Sequence, residues 1–196
     1  MTNKKKLAST FPNMIIVMTV VALTSALALS ITNMGTLKAR QMVEIKRTIA
    51  ALKKVLPEFD NDPNGEKYSL AGFAEMEFFP AKKNGLPVGT AIKTYSDQGF
   101  SERIWLMVGF DAANKVHRIS VLKQRETPGL GTKMKEPKFK KQFTGKDPTS
   151  YKLKVKKDGG DVDAITAATI SSRAFCDAVS KAYRALVKGL VKGGKK

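Results

Sequence analysis

A chain of 196 residues with 42% hydrophobic and 27% charged residues has globular composition, with room for one core and an accessory segment and too much apolar content for a disordered chain. Its 35 Lys and Arg against 17 Asp and Glu give a formal charge of +18, which admits nucleic acid, anionic lipid or an acidic partner without choosing among them. A single cysteine, Cys176, excludes an intrachain disulfide and a metal site of several thiolates, and a single histidine, His117, leaves a histidine-based hydrolytic triad without support.

After Lys4, Lys5 and Lys6 no charged residue occurs until Lys38, and residues 14–31 are almost continuously apolar. At about 1.5 Å per helical residue, that run is just long enough to cross a bilayer core. A cleaved signal peptide is the competing reading, because Ala26-Leu27-Ala28 offers small residues after an apolar run. Periodicity beyond the run favours an anchor. Met42, Ile45, Ile49, Leu52 and Leu56 recur at alternating spacings of three and four, one face of a helix that Pro57 stops. The predicted organisation is a tail over residues 1–10, a transmembrane helix over 11–34, a juxtamembrane helix over 35–57 and a folded domain over 58–196. Lys38, Arg40, Lys46 and Arg47 rival the N-terminal lysines, so the positive-inside rule does not orient the span.

The turn cluster at residues 60–65 separates that helix from the domain core. Residues 71–79, closed by Pro80, and residues 88–95 read as strands. Residues 103–110 and 115–122 flank a short polar loop and read as a hairpin, with Trp105 in the core and His117 as a strand residue. Then comes Glu126-Thr127-Pro128-Gly129-Leu130-Gly131. Its glycines and proline impose a tight loop, either a simple strand-ending turn or a backbone able to approach a planar ligand or anion closely. A basic connection over residues 133–157 follows, with 151–155 as a candidate last strand. The final element is a helix over 170–187 with an apolar stripe of Ala174, Ala178, Val179, Ala182 and Leu186, an Asp177–Lys181 ion pair, and Cys176 near the buried side. The fold class is α+β: an N-terminal transmembrane helix, then a small mixed domain of antiparallel strands with flanking helices.

Directly before the final helix stands Asp163-Ala164-Ile165-Thr166-Ala167-Ala168-Thr169-Ile170-Ser171-Ser172. Hydroxyls and small residues at a helix start suit a phosphate, since first-turn N–H groups lack intrahelical partners and the dipole is positive there. Spacing alone is explained more simply by an N-cap with alanines for packing. The segment also resembles the flavinylation motif Asp-x-x-Ser/Thr-Gly-Ala-Thr-x-Thr/Ser, matching it at Asp163, Thr166, Ala168, Thr169 and Ser171. It departs at Ala167, where the motif usually has glycine, and at Ser171, where threonine is commoner. With the loop at 126–131 and the N-terminal helix, the chain resembles the G subunit of Rnf-type ferredoxin:NAD oxidoreductases. The related C subunit of sodium-translocating NADH:quinone oxidoreductase is the nearest alternative.

That resemblance implies an electron-transfer subunit of a membrane-bound ion-translocating complex, relaying electrons through FMN joined by a phosphoester and delivered from FAD by a flavin transferase. It implies Ser171 as the hydroxyl that carries FMN, Thr169 as a phosphate neighbour and second-choice acceptor, and Thr166 with Asp163 as the residues that cap and order the turn. Glu126, Thr127 and Gly129 are assigned to the loop beside the flavin. A surface hydroxyl costs within about 0.5 kcal/mol to remove, so Ser171→Ala is expected to keep the fold and lose FMN. The implied location is the inner (plasma) membrane, single-pass, with the domain on the extracytoplasmic side. The implied partners are other subunits and membrane lipid, not nucleic acid. A membrane-anchored basic module that binds anionic lipid or protein without a cofactor is the alternative.

Overall fold

Phe78 and Phe79 are neighbours in sequence and both fully buried, yet they belong to two different core clusters. Successive side chains of a strand point to opposite faces, so the sheet that carries them is covered on both sides. The computed structural model describes residues 10–193. Residues 1–9 of the predicted tail, with Lys4, Lys5 and Lys6, lie outside the described residues, as do Lys195 and Lys196.

The chain divides into two compact units after Lys46. The helix α1 spans Phe11–Val55, and its part in the first unit exposes apolar side chains such as Val17, Leu23, Leu27 and Ile31. By length and composition α1 is apolar enough to cross a bilayer. The hydroxyls of Thr24, Thr32 and Thr36 donate back to the carbonyls of Val20, Ala28 and Thr32 at 2.9, 2.8 and 2.9 Å. These hydroxyls are therefore satisfied within the helix, as an apolar environment requires. The juxtamembrane helix predicted from residue 35 is not a separate element, because α1 continues through it and ends at Val55, two residues before Pro57. Gly35 alone, about 1 kcal/mol worse than alanine, is too weak a signal to stop a helix with good formers around it.

In the second unit five strands lie in sequential antiparallel order. They are β1 (Tyr68–Leu70), β2 (Phe73–Lys83), β3 (Leu86–Ser96), β4 (Ile104–Asp111) and β5 (Val116–Lys123). One face carries Phe78, Ile92, Leu106, Val108 and Phe110 and packs with Ala174, Ala178, Val179, Ala182 and Leu186 of the helix α3 (Thr169–Gly193). The other face, with Phe79, Ala81, Ala91 and Met107, meets Ala51, Leu52, Val55 and Leu56 from the end of α1. Of the stripe predicted for that helix, Leu52 and Leu56 are buried, whereas Met42, Ile45 and Ile49 are exposed. The architecture is the predicted α+β class, an antiparallel sheet with flanking helices.

Three local expectations are corrected. β2 runs through Pro80 instead of stopping there. Pro80 lies beyond the end of β1, where Asn61 caps the strand edge: Asn61 Nδ2 donates to Pro80 O at 3.0 Å and Asn61 Oδ1 accepts from Lys82 N–H at 2.9 Å. A proline on that edge forfeits no ladder bond. Residues 151–155 form no strand, and Val155 makes only an isolated parallel bridge with Val162. Their backbone is used locally, Tyr151 N–H donating to Asp147 O at 2.8 Å and Lys152 N–H to the Asp161 carboxylate at 2.7 Å. Trp105 is half-buried rather than in the core. It pairs with Tyr95 at the sheet's end, and Lys93 and Arg103 stand over its ring at 5.6 and 5.5 Å.

The basic connection is folded. A 3-10 turn at Gly131–Lys135 and the short helix α2 (Pro137–Lys140) bury Met134 and Phe139, and Phe143 follows. Phe139 and Phe143 each lie 5.1 Å from Phe175 of α3 by ring centroid, while Lys133, Lys135, Lys138 and Lys141 remain exposed. The predicted Asp177–Lys181 pair forms at 3.1 Å. Cys176 is buried, and burial pushes its thiol up to about 12, so it is inert at neutral pH.

Gly109 of β4 lies where a side chain would run into the carbonyl of Val55. Gly109→Ala is expected to cost about 1–3 kcal/mol by overpacking. The measurement is the denaturation midpoint of the full chain, read by labelling of Cys176, which a thiol reagent reaches only on unfolding.

Candidate functional site

The start of α3 is shaped by a hydroxyl that the motif match left out. Ser172 is fully buried. Its Oγ accepts from Ile165 N–H at 2.9 Å and donates to Ala168 O at 3.0 Å, while Ala168 N–H donates to Ile165 O at 3.0 Å. This closed turn forces Ala167 into the left-handed region at φ +59°, where a Cβ is disfavoured.

The loop after β5 packs onto that helix start. Glu126 is only 4% exposed, and its Oε1 accepts from the N–H groups of Phe100 at 3.0 Å and Ser101 at 3.4 Å. Its Oε2 accepts from Ser171 Oγ at 2.5 Å, and Ser171 is 3% exposed. Gly131 fits between them, since a side chain there would collide with both Ser171 Oγ and Glu126. The two segments enclose a cleft of about 350 Å³ lined by Glu126, Thr127, Gly131, Ala167, Ala168, Thr169 and Ser171, with Phe100, Leu130 and Ile170 completing the lining. These last three are large apolar side chains left exposed, Phe100 at 64%.

Of the predicted site residues, Glu126, Thr127, Thr169 and Ser171 therefore come together. Gly129 does not line the cleft. It takes φ +74° in the turn, its N–H donating to Thr132 Oγ1 at 3.0 Å. Thr166 is exposed and outside the cleft. Asp163 is also outside: its carboxylate pairs with Lys156 at 2.8 Å and its backbone with the Gln142 amide. The turn-ordering role assigned to Thr166 and Asp163 falls to Ser172. Sequence reading missed Phe100, Leu130 and Ile170. The signal that could have found them was Ile170 standing off the buried stripe of α3 and Phe100 as a lone aromatic residue in a polar loop. The expectation that Ser171→Ala is nearly neutral is also revised. Ser171 is a buried donor to a buried carboxylate, so its loss costs about 1–3 kcal/mol.

Residues 99–184, which contain every wall of the cleft, match the FMN-binding domain family. The G subunit of the ion-translocating oxidoreductase complex of Photorhabdus laumondii is 37% identical over 66% of this chain and 68% of its own length. The protein of the same name from Shewanella amazonensis is 34% identical over 72% of this chain and 71% of its own. The G subunit of the Na(+)-translocating ferredoxin:NAD(+) oxidoreductase complex of Acetobacterium woodii is 29% identical, covering 84% and 86%. The chain belongs to this family of G subunits.

FMN is the cofactor of such a domain, and the residues present fit it. The cleft volume lies within the roughly 300–1,000 Å³ of small-molecule pockets. Thr169, the first residue of α3, is only partly buried and lines the cleft, where first-turn N–H groups and the helix dipole favour a phosphate. Phe100, Leu130 and Ile170 offer apolar surface for a planar ring, and Glu126 supplies one buried carboxyl group.

Ala167 stands in this family site where a glycine suits the backbone. Ala167→Gly removes a left-handed penalty of about 1–2 kcal/mol and restores about 0.5–1 kcal/mol of unfolded-chain freedom. The expected outcome is a higher melting temperature, by a net gain of up to about 1 kcal/mol, checked by thermal denaturation beside the parent chain.

Proposed function

We propose that this chain is the electron-relay subunit of a membrane-bound ion-translocating ferredoxin:NAD oxidoreductase complex, with FMN joined through its phosphate to Thr169. The observation that carries the reading is the contrast between the two hydroxyls of one cleft. Motif position favours Ser171, but that hydroxyl is buried and donates to Glu126. Thr169 is only partly buried at the helix start and lines the cleft, so an incoming phosphate and a modifying transferase can reach it without breaking the buried bond. FMN supplies the capacity to take up and release electrons; the chain binds it, orients it and shields one side of it.

The test is mass spectrometry of the full chain produced with a flavin transferase. Thr169→Ala is expected to lose the FMN mass, whereas Ser171→Ala keeps it at lower occupancy on a less stable fold. Mapping of the FMN increment to residue 171 in the parent chain would restore Ser171 as the acceptor. A parent chain without flavin fluorescence after denaturation would favour the cofactor-free module.

The uncharged run between Lys6 and Lys38 supports a single crossing, and the resemblance to G subunits supports the domain on the extracytoplasmic side. The exposed lysines of residues 133–157 then serve other subunits or lipid headgroups rather than nucleic acid. A cysteine introduced at Asn64 is expected to react in intact cells with a reagent that cannot cross membranes, against a silent background from buried Cys176. Labelling only after lysis would reverse the orientation.

A further inference from the structure

Glu126 is a buried carboxylate that hydroxyl and backbone groups hold without a counter-ion. Among the described residues no ion pair forms to it. All three contacts are donors to it: Phe100 N–H at 3.0 Å, Ser101 N–H at 3.4 Å and Ser171 Oγ at 2.5 Å. An ionised carboxylate is an acceptor only, so this set suits the charged form. The group cannot swing away easily, because Gly131 packs against both it and Ser171 and any side chain at 131 would displace them.

We propose that Glu126 sets the reduction potential of the flavin in this cleft, holding it low by charge repulsion. The inference rests on the FMN reading above. Reduction adds negative charge to the flavin, and a fixed negative charge lining the same cavity opposes that addition. The lysines behind the net charge of +18 do not cancel it equally. Exposed charges are screened within about 10 Å in ordinary salt, whereas a buried charge acts through a medium of low dielectric constant. Charge near the cofactor is one of the few means by which a protein adjusts a flavin's electronics. Ser171 is in this account a positioning residue, acting through the carboxylate it pins.

The experiment is a reductive titration with dithionite and a reference dye, on the full flavin-loaded chain in detergent micelles. Glu126→Gln keeps the side-chain size and an oxygen for the Phe100 and Ser101 N–H groups, and it should shift the midpoint potential upward. Glu58→Gln, which removes an exposed carboxylate paired with Lys83, should leave it in place. Equal potentials for the parent and Glu126→Gln overturn the inference while the flavin reading stands. A parent chain without flavin overturns both. Should Glu126→Gln fail to fold or to carry flavin, Ser171→Ala decides: a shifted potential supports the carboxylate's role, and an unchanged one overturns it.

Discussion

Burial of the sheet on both faces is the constraint on which the other features depend. A meander of sequential strands is the simplest antiparallel sheet, but covering it twice demands apolar side chains at adjacent positions, as Phe78-Phe79 and Met107-Val108 supply. It also demands one helix from each end of the domain sequence. The last turns of α1 close one face and α3 closes the other. The fit is tight enough that Gly109 cannot carry a side chain beside Val55. Because α3 must lie across its face with Ala174, Ala178 and Ala182 inward, its first turn arrives beside the loop that leaves β5.

At that junction, packing and chemistry use the same atoms. The hydrogen bond from Ser171 to Glu126 ties loop to helix and fixes a carboxyl group under the cleft. Ser172 closes the turn before the helix, and the closed turn holds Ala167 at a backbone angle better suited to glycine. The hydroxyl left over, on Thr169, lies at the position where the helix best tolerates an anion. One short segment thereby carries a structural pair of serines and a less deeply buried threonine that lines the cleft.

Much of the fold was legible in the sequence for definite reasons. The β4–β5 hairpin followed from alternation around a polar loop, and the α3 stripe from spacing, with Asp177 and Lys181 meeting as their four-residue separation requires. The long apolar helix was legible from the absence of charge. What failed depended on tertiary context. Pro80 reads as a strand terminator until Asn61 is seen occupying the free edge. Residues 151–155 carry strand-like composition, but side chains such as that of Asp161 use up their backbone donors. At the site, the motif pointed to a segment of which residues 167–171 line the cleft. It could not distinguish an accessible hydroxyl from a buried one, because Glu126 lies 45 positions away from Ser171. The apolar rim was invisible for the same reason, its members coming from three separate segments.

That 45-residue separation also bears on the order of events in the making of the protein. Hairpins between consecutive strands close short loops and form early, whereas contacts distant in sequence must wait for the chain between them to condense. The walls of the cleft meet only when α3 docks, and the same docking brings Phe175 of α3 against Phe139 and Phe143 of the intervening segment. A nascent or misfolded chain therefore presents no cleft in which FMN could sit. Cofactor binding on such a scaffold reports complete folding, since the cleft exists only once its walls, distant in sequence, have met.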